Sequence, residues 1–196
     1  MKTGRGFSLV ELIVGMAILG VLLAIAMPAF SNWLRNARVR TAAESVQNGL
    51  QLARVEAVRR NTTIRFQLVN TTDDSCALST AGPNWVVSFD SPVGACATPP
   101  SDTVAPRIIQ SRSGAEGSAD TTLTADQSAL VFNSLGRLTP VPAANVTINV
   151  ASATGGLCLA SGGPIRCLQI IVTLGGQIRM CDPDPKLAVG DAQACT

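Results

Sequence analysis

Histidine is absent from all 196 residues. That removes the commonest general base and the commonest metal ligand from any catalytic scheme. Charge is scarce as well, at 14% Asp, Glu, Lys and Arg against about 25% in an ordinary soluble domain. No two cysteines form a C-x-x-C pair, the spacing that zinc sites and thioredoxin-like redox motifs usually need. No G-K-[ST] follows Gly155-Gly156 or Gly162-Gly163, so these pairs read as turns and not as phosphate loops. An enzyme built from what remains would need paired carboxylates or an activated nucleophile. The close acidic pairs, Asp73-Asp74 and Asp182-x-Asp184, sit in polar stretches that read as solvated loops. At most they would hold a cation weakly. The expectation is a protein that is not an enzyme, with no catalytic residues, no metal site and no cofactor.

What the chain does have begins with six cysteines: Cys76, Cys96, Cys158, Cys167, Cys181 and Cys195. An even number without metal spacing reads as disulfides, which places this part of the chain in an oxidising compartment. Six cysteines allow fifteen pairings, and the sequence does not choose among them. Sequential pairing (76 with 96, 158 with 167, 181 with 195) has the merit that each bridge closes a short local loop. Buried free thiols are the alternative.

The N-terminal region carries the longest apolar run. From Leu12 to Phe30 there are 19 positions without a charge, enough helix to span ~28 Å against a hydrocarbon core of ~30 Å. A secretory signal would be shorter and closed by a small-residue cleavage site, whereas Pro28 and Phe30 interrupt any such pattern here. Flanking charge orients the segment poorly, because Lys2 and Arg5 precede it and Arg35, Arg38 and Arg40 follow. The cysteines decide the matter: the body faces the oxidising side, leaving a cytoplasmic N-terminus. Glu11 is the anomaly, since a carboxylate near the start of a spanning helix is costly unless it snorkels or finds a cationic partner.

Gly6-Phe7-Ser8-Leu9-Val10-Glu11-Leu12 resembles the class III signal of type IV prepilins and type II secretion pseudopilins. The resemblance implies cleavage after Gly6 by a prepilin peptidase and N-methylation of Phe7. It also implies that Glu11 pairs with the terminal amine of a neighbouring subunit during assembly, which supplies the missing cation. Pro28 matches the position where helices of this family bend, in keeping with its missing N–H. Cleavage would remove Lys2 and Arg5, taking Lys+Arg from 15 to 13 against 13 Asp+Glu. Any attraction to polyanions must then come from a local patch.

Beyond the apolar run, Trp33, Ala37, Val39, Ala43, Val46, Leu50, Ala53 and Ala57 recur at helical steps and predict a stripe that packs on a domain. Glu56 and Arg60 read as an outward i,i+4 pair, and Asn61-Thr62-Thr63 as the end of one helix starting at Phe7. Thr63–Leu68 and Val146–Val150 alternate as strands. Trp85–Phe89, Ile108–Gln110 and Ala129–Phe132 are shorter strand candidates. Leu168–Leu174, Gly175-Gly176 and Gln177–Met180 read as a hairpin. The polar segments 70–84, 90–106 and 111–128 read as surface loops. No internal repeat is evident.

One long helix followed by antiparallel strands is an α+β order that also resembles the pilin fold. The implied divisions are a leader (1–6), a transmembrane assembly helix (7–30), an amphipathic second half (31–62) and a β-rich head (63–196). Ala129–Leu138 looks like the strand–glycine–turn segment of the GspH/FimT family of minor pilins, with Gly136 supplying a positive φ. The ending Gly176–Pro183…Ala194-Cys195 resembles the cysteine-closed tail of the FimT/FimU branch. The resemblance implies a minor pilin that primes or caps a type IV pilus, supporting DNA uptake, motility or adhesion. It would assemble with major and minor pilins, anchored in the inner membrane before assembly. A GspH-like minor pseudopilin of type II secretion is the alternative within that class.

A DNA receptor for natural transformation is a further reading. Some FimT proteins bind DNA through a Gly-Arg-x-Arg element, matched here by Gly176-Gln177-Ile178-Arg179, with glutamine in place of the first arginine. Gln177, Arg179 and Lys186 are the candidate DNA contacts. Asp182, Asp184 and Asp191 stand beside them, which predicts little phosphate binding. Residues 35–65 carry seven Arg against two Glu, whereas 66–196 carry six Lys+Arg against ten Asp+Glu. The basic stretch therefore lies on the helix, where lipid phosphate and inter-subunit packing are the plainer explanations.

Overall fold

The structure is a computed structural model, and it describes residues 8–118, 120–188 and 190–195. Helix α1 runs from Leu9 to Arg59, and Asn61 beyond it adopts φ 49°. Strands β1 (Ile64–Val69), β2 (Asn84–Ser88), β3 (Ile108–Arg112), β4 (Thr121–Ala125), β5 (Ala129–Phe132), β6 (Val146–Ser152), β7 (Leu168–Val172) and β8 (Ile178–Cys181) follow. They form two four-stranded sheets, in the orders β3-β2-β1-β5 and β4-β6-β7-β8. Every pairing between these strands is antiparallel. The architecture is the long helix plus antiparallel β domain that the sequence led us to expect. The chain divides into two compact units between Leu34 and Arg35.

In the second unit α1 contributes Val39, Ala42, Ala43, Val46, Leu50, Ala53 and Ala57 to a core shared with both sheets. The stripe is rich in alanine, and that smallness sets the approach distance. A Cβ added at Gly49 would lie 2.9 Å from the Phe66 ring and 3.1 Å from that of Trp85. Along β1, Ile64, Phe66 and Leu68 enter this core with Trp85 and Val87 of β2. Val69 and Val86, one step out of phase, join Cys76, Cys96 and Ile108 in a second cluster. The period-two alternation thus gives the first sheet two covered faces.

Three expectations need correction. Segment 111–128 is not all loop: Thr121–Ala125 forms β4, with Leu123 in the core, because its Thr-Leu-Thr alternation suits a half-buried edge strand. Glu56 does not face outward but is buried. Trp33 falls outside the packing stripe and is exposed.

Three disulfides join Cys76 to Cys96, Cys158 to Cys167 and Cys181 to Cys195. Each closes a local loop, and the first draws segment 70–84 onto segment 90–106. That buries two cysteines in stretches whose polarity suggested only surface.

Candidate functional site

In the first unit the apolar side chains are bare: Leu9 is 74% exposed and Ile25 70%. Among the described residues one helix, α1, is long and apolar enough to cross a membrane. Exposed apolar area on this scale marks a surface made for lipid or for other chains. Glu11 stands in its first turn. Its carboxylate accepts a bond from the Ser8 backbone N–H (3.1 Å), while the Glu11 N–H donates to Ser8 Oγ (3.3 Å). This is a capping box, and its signal in the sequence is the S-x-x-E spacing of Ser8-Leu9-Val10-Glu11. Gly6 and Phe7, the expected cleavage and methylation positions, lie outside the described residues. Pro28 lies within α1.

In the second unit, the two turns singled out by sequence meet each other. Asn133 organises the first: its side-chain oxygen accepts bonds from the N–H groups of Leu135 (3.0 Å) and Arg137 (3.1 Å). Gly136 follows at φ 71°. A Cβ there would stand 3.1 Å from Arg54 Nε and 3.2 Å from a Val58 methyl on α1. Gly176 of the β7–β8 turn has φ 80°, and a Cβ on it would meet the Gly136 carbonyl oxygen at 2.0 Å. Two segments forty residues apart in sequence therefore close on one another beside α1. A groove of about 640 Å3 opens there, lined by Gln51, Arg54, Val55, Val58, Arg59, Gln177 and Ile178.

The candidate DNA contacts fall just before β8, within it and in the tail. Gln177 lines the groove, Arg179 stands in β8 opposite Ile171, and Lys186 is exposed in the tail with its N–H on Asp184 (3.0 Å). Asp182 corrects the picture of a solvated acidic loop, being only 4% exposed. Its carboxylate accepts from Arg166 Nε (2.5 Å), and its backbone pairs with Gln193 and Cys195. Arg166 also donates to Gln193 Oε1 and, through its backbone N–H, to Asn36 on α1 (2.8 Å). The tail is thus stitched down by an ion pair whose carboxylate is buried and whose arginine is half-exposed, as well as by a disulfide. Nothing in the sequence marked Arg166.

The basic stretch of α1 is largely consumed within the chain. Arg38 pairs with Asp120 (2.6 Å), Arg40 with Glu44 (2.8 Å), and Arg59 and Arg60 both with Glu56 (2.7 and 2.6 Å). Lipid contact is not needed to explain those arginines. Burial pushes the Glu56 carboxyl up, but hydrogen bonds and charge from Arg59 and Arg60 outweigh it and hold the group below its ordinary range. Arg60 continues to Asp102 (2.7 Å), and its guanidinium lies 5.1 Å over the Phe89 ring. Arg107 lies 4.6 Å over the same ring and forms a two-pronged pair with Asp90 (2.8 Å each) that lowers the aspartate pKa. This network fastens the loop after β2 to the end of α1.

The other acidic pair is structural too. Asp73 accepts from Ser75, whose hydroxyl and N–H keep its carboxyl low, and Asp74 accepts from the Ala97 N–H (3.1 Å) across the first disulfide loop. Among the described residues no group of three or more His, Cys, Asp or Glu could hold a metal.

Residues 42–176 match the family described as type II transport protein GspH, and residues 1–27 match the prokaryotic N-terminal methylation motif. The chain is similar to the pilin-like protein PilA1 of Thermus thermophilus, at 39% identity over 66 residues. That alignment covers 34% of this chain and 41% of the relative, so the chain matches about two fifths of that protein's length. Among solved structures it resembles the type IV minor pilin FimU of Pseudomonas aeruginosa. There the TM-score is 0.51 at 21% identity, over 81% of this chain and 95% of that one. The minor pseudopilin EpsH of the Vibrio cholerae type 2 secretion system aligns at TM-score 0.45 and 13% identity, over 76% and 98% of the two chains.

Proposed function

The chain belongs to the GspH family of pilin-like proteins, and from that premise we propose that it is a minor type IV pilin that primes or caps a pilus. The observation that carries this reading is the bare apolar first unit with one carboxylate, Glu11, at its start. Such a helix is stored in lipid and then transferred into a bundle of like helices, where a neighbour's terminal amine takes up the carboxylate. In this scheme a prepilin peptidase cuts after Gly6 and methylates Phe7. Pro28, which lacks an N–H, bends the helix. The three disulfides support a head on the oxidising, periplasmic side and an N-terminus in the cytoplasm.

A second reading, a minor pseudopilin of type II secretion, is favoured by the wording of the family match, which names type II transport. Deleting the gene separates the two. The pilus reading expects loss of surface fibres with protein secretion intact. Loss of secretion with normal fibres would transfer the chain to the secretion machinery. Direct DNA binding has weaker support, because the Gly-x-x-Arg element carries Gln177 where a cation is wanted. A gel shift with the full chain in detergent at two salt concentrations tests it, and a shift that weakens with salt would establish it.

A further inference from the structure

The groove beside the paired turns contains a charge, Arg54, for which the described residues supply no ion-pair partner. Arg54 is half-buried, and its stem lies against the Gly136 turn. Among the described residues no salt bridge includes it. Its neighbours on α1 behave differently: Arg59 and Arg60 are both held by Glu56. A guanidinium that is partly desolvated and left without a carboxylate is a costly arrangement, and it becomes favourable when an anion arrives from outside. Around Arg54 the walls mix the polar Gln51, Arg59 and Gln177 with three apolar side chains. Val55 is 59% exposed and Val58 51%, with Ile178 opposite. β8, which begins at Ile178, is the outer strand of its sheet.

We propose that this groove docks an extended segment of another pilin-like subunit, one that sets an Asp or Glu carboxylate on Arg54 and apolar side chains against Val55, Val58 and Ile178. The idea rests on the assembly reading above and deepens it by naming a head surface. A protein segment suits the site better than nucleic acid. With Arg59 already held by Glu56, Arg54 beside Val55, Val58 and Ile178 offers a single charge-assisted bond and an apolar contact, whereas a phosphate backbone is held by rows of cations. The glycines explain why the surface is built here. Gly176 lets the β7–β8 turn sit on the Gly136 carbonyl, and the Gly136 turn in turn supports the Arg54 stem. The two turns that looked like family signatures thus pack together beside one groove.

The test places a photo-crosslinking amino acid at Val55 in the full chain, expressed in its own cells. Adducts are mapped by mass spectrometry in both membranes and sheared fibres. The expected adduct joins residue 55 to a peptide of another pilin-like subunit that contains Asp or Glu beside apolar residues. Its yield falls about tenfold or more with Arg54→Glu and is kept with Arg54→Lys, as loss of a desolvated charge pair requires. Thermal unfolding of Arg54→Glu checks that the head still folds, and Arg54→Gln, which adds no charge, is to show the same direction of loss. A nuclease-sensitive adduct, a crosslinked peptide without a carboxylate, a yield indifferent to residue 54, or no adduct in either fraction would overturn the proposal. Presence of the wild-type chain in fibres is scored separately. A chain that enters fibres without the adduct refutes the groove alone, while absence from fibres refutes the assembly reading and leaves the membrane adduct to decide the groove.

Discussion

Gly176 is the residue on which the head depends most sharply. A Cβ there meets backbone, the Gly136 oxygen, at 2.0 Å, and the φ of 80° disfavours any side chain. Gly176→Ala is expected to cost about 2–3 kcal/mol, read as a lower denaturant midpoint of the full chain in detergent. Gly175→Ala, where the nearest atom is 3.9 Å away, serves as the mild control. Glu56 makes a different prediction. Its folded carboxyl lies below the ordinary value, so its contribution to stability is present at neutral pH. That contribution is lost as pH falls below about 4.3 and through the folded value. Asp90 and Asp73 act with the same sign. Glu56→Gln should therefore lower stability at pH 7 and flatten the acid side of the stability curve, as followed by chemical unfolding at a series of pH values. Sequence alone pointed to Glu56 and Arg60 as partners but placed them on the wrong face. An i,i+4 spacing shows that two side chains meet, not what packs over them; here Phe89 and the loop carrying Asp102 do so.

At the scale of elements, the strongly periodic pieces were legible and the polar ones were not. The stripe from Val39 to Ala57 and the strands at Ile64, Ala129 and Val146 announce themselves through apolar spacing. β4 escaped notice because Thr121-Thr122-Leu123-Thr124 contributes one large apolar side chain, Leu123, and its place in the sheet comes from pairing with β6. The tail was readable as cysteine-closed, yet Asp182 looked like solvated loop charge, since its partner Arg166 lies sixteen residues away in an irregular segment. Two forces hold this element, and they can be separated. Replacing Cys181 and Cys195 by serine opens a loop of separation 14 and should cost about 3 kcal/mol. Arg166→Met should cost a similar amount by leaving a buried carboxylate unpaired. Chemical unfolding of each variant, followed by limited proteolysis of segment 183–194, checks both. Unchanged protease resistance in the two variants would show that the tail is anchored by something else.

For the whole molecule, two units with different surfaces imply two kinds of work. The first presents exposed apolar side chains along its described residues. The second has a core shared by α1 and both sheets, three disulfides and a set of internal ion pairs. The match to the methylation motif over residues 1–27 agrees with the N-terminal signature that was readable from Gly6 to Leu12. The groove was not readable in that way, because it arises where two distant turns and one helical arginine converge. The central claim is that the first unit is an assembly device driven by Glu11, and the most direct measurement is the fate of Glu11→Val in cells. The account predicts that this variant is cleaved after Gly6 at the normal rate, shown by the mass of the mature chain. It should then stay in the membrane fraction and be absent from sheared fibres. Entry of Glu11→Val into fibres at the wild-type level would contradict it.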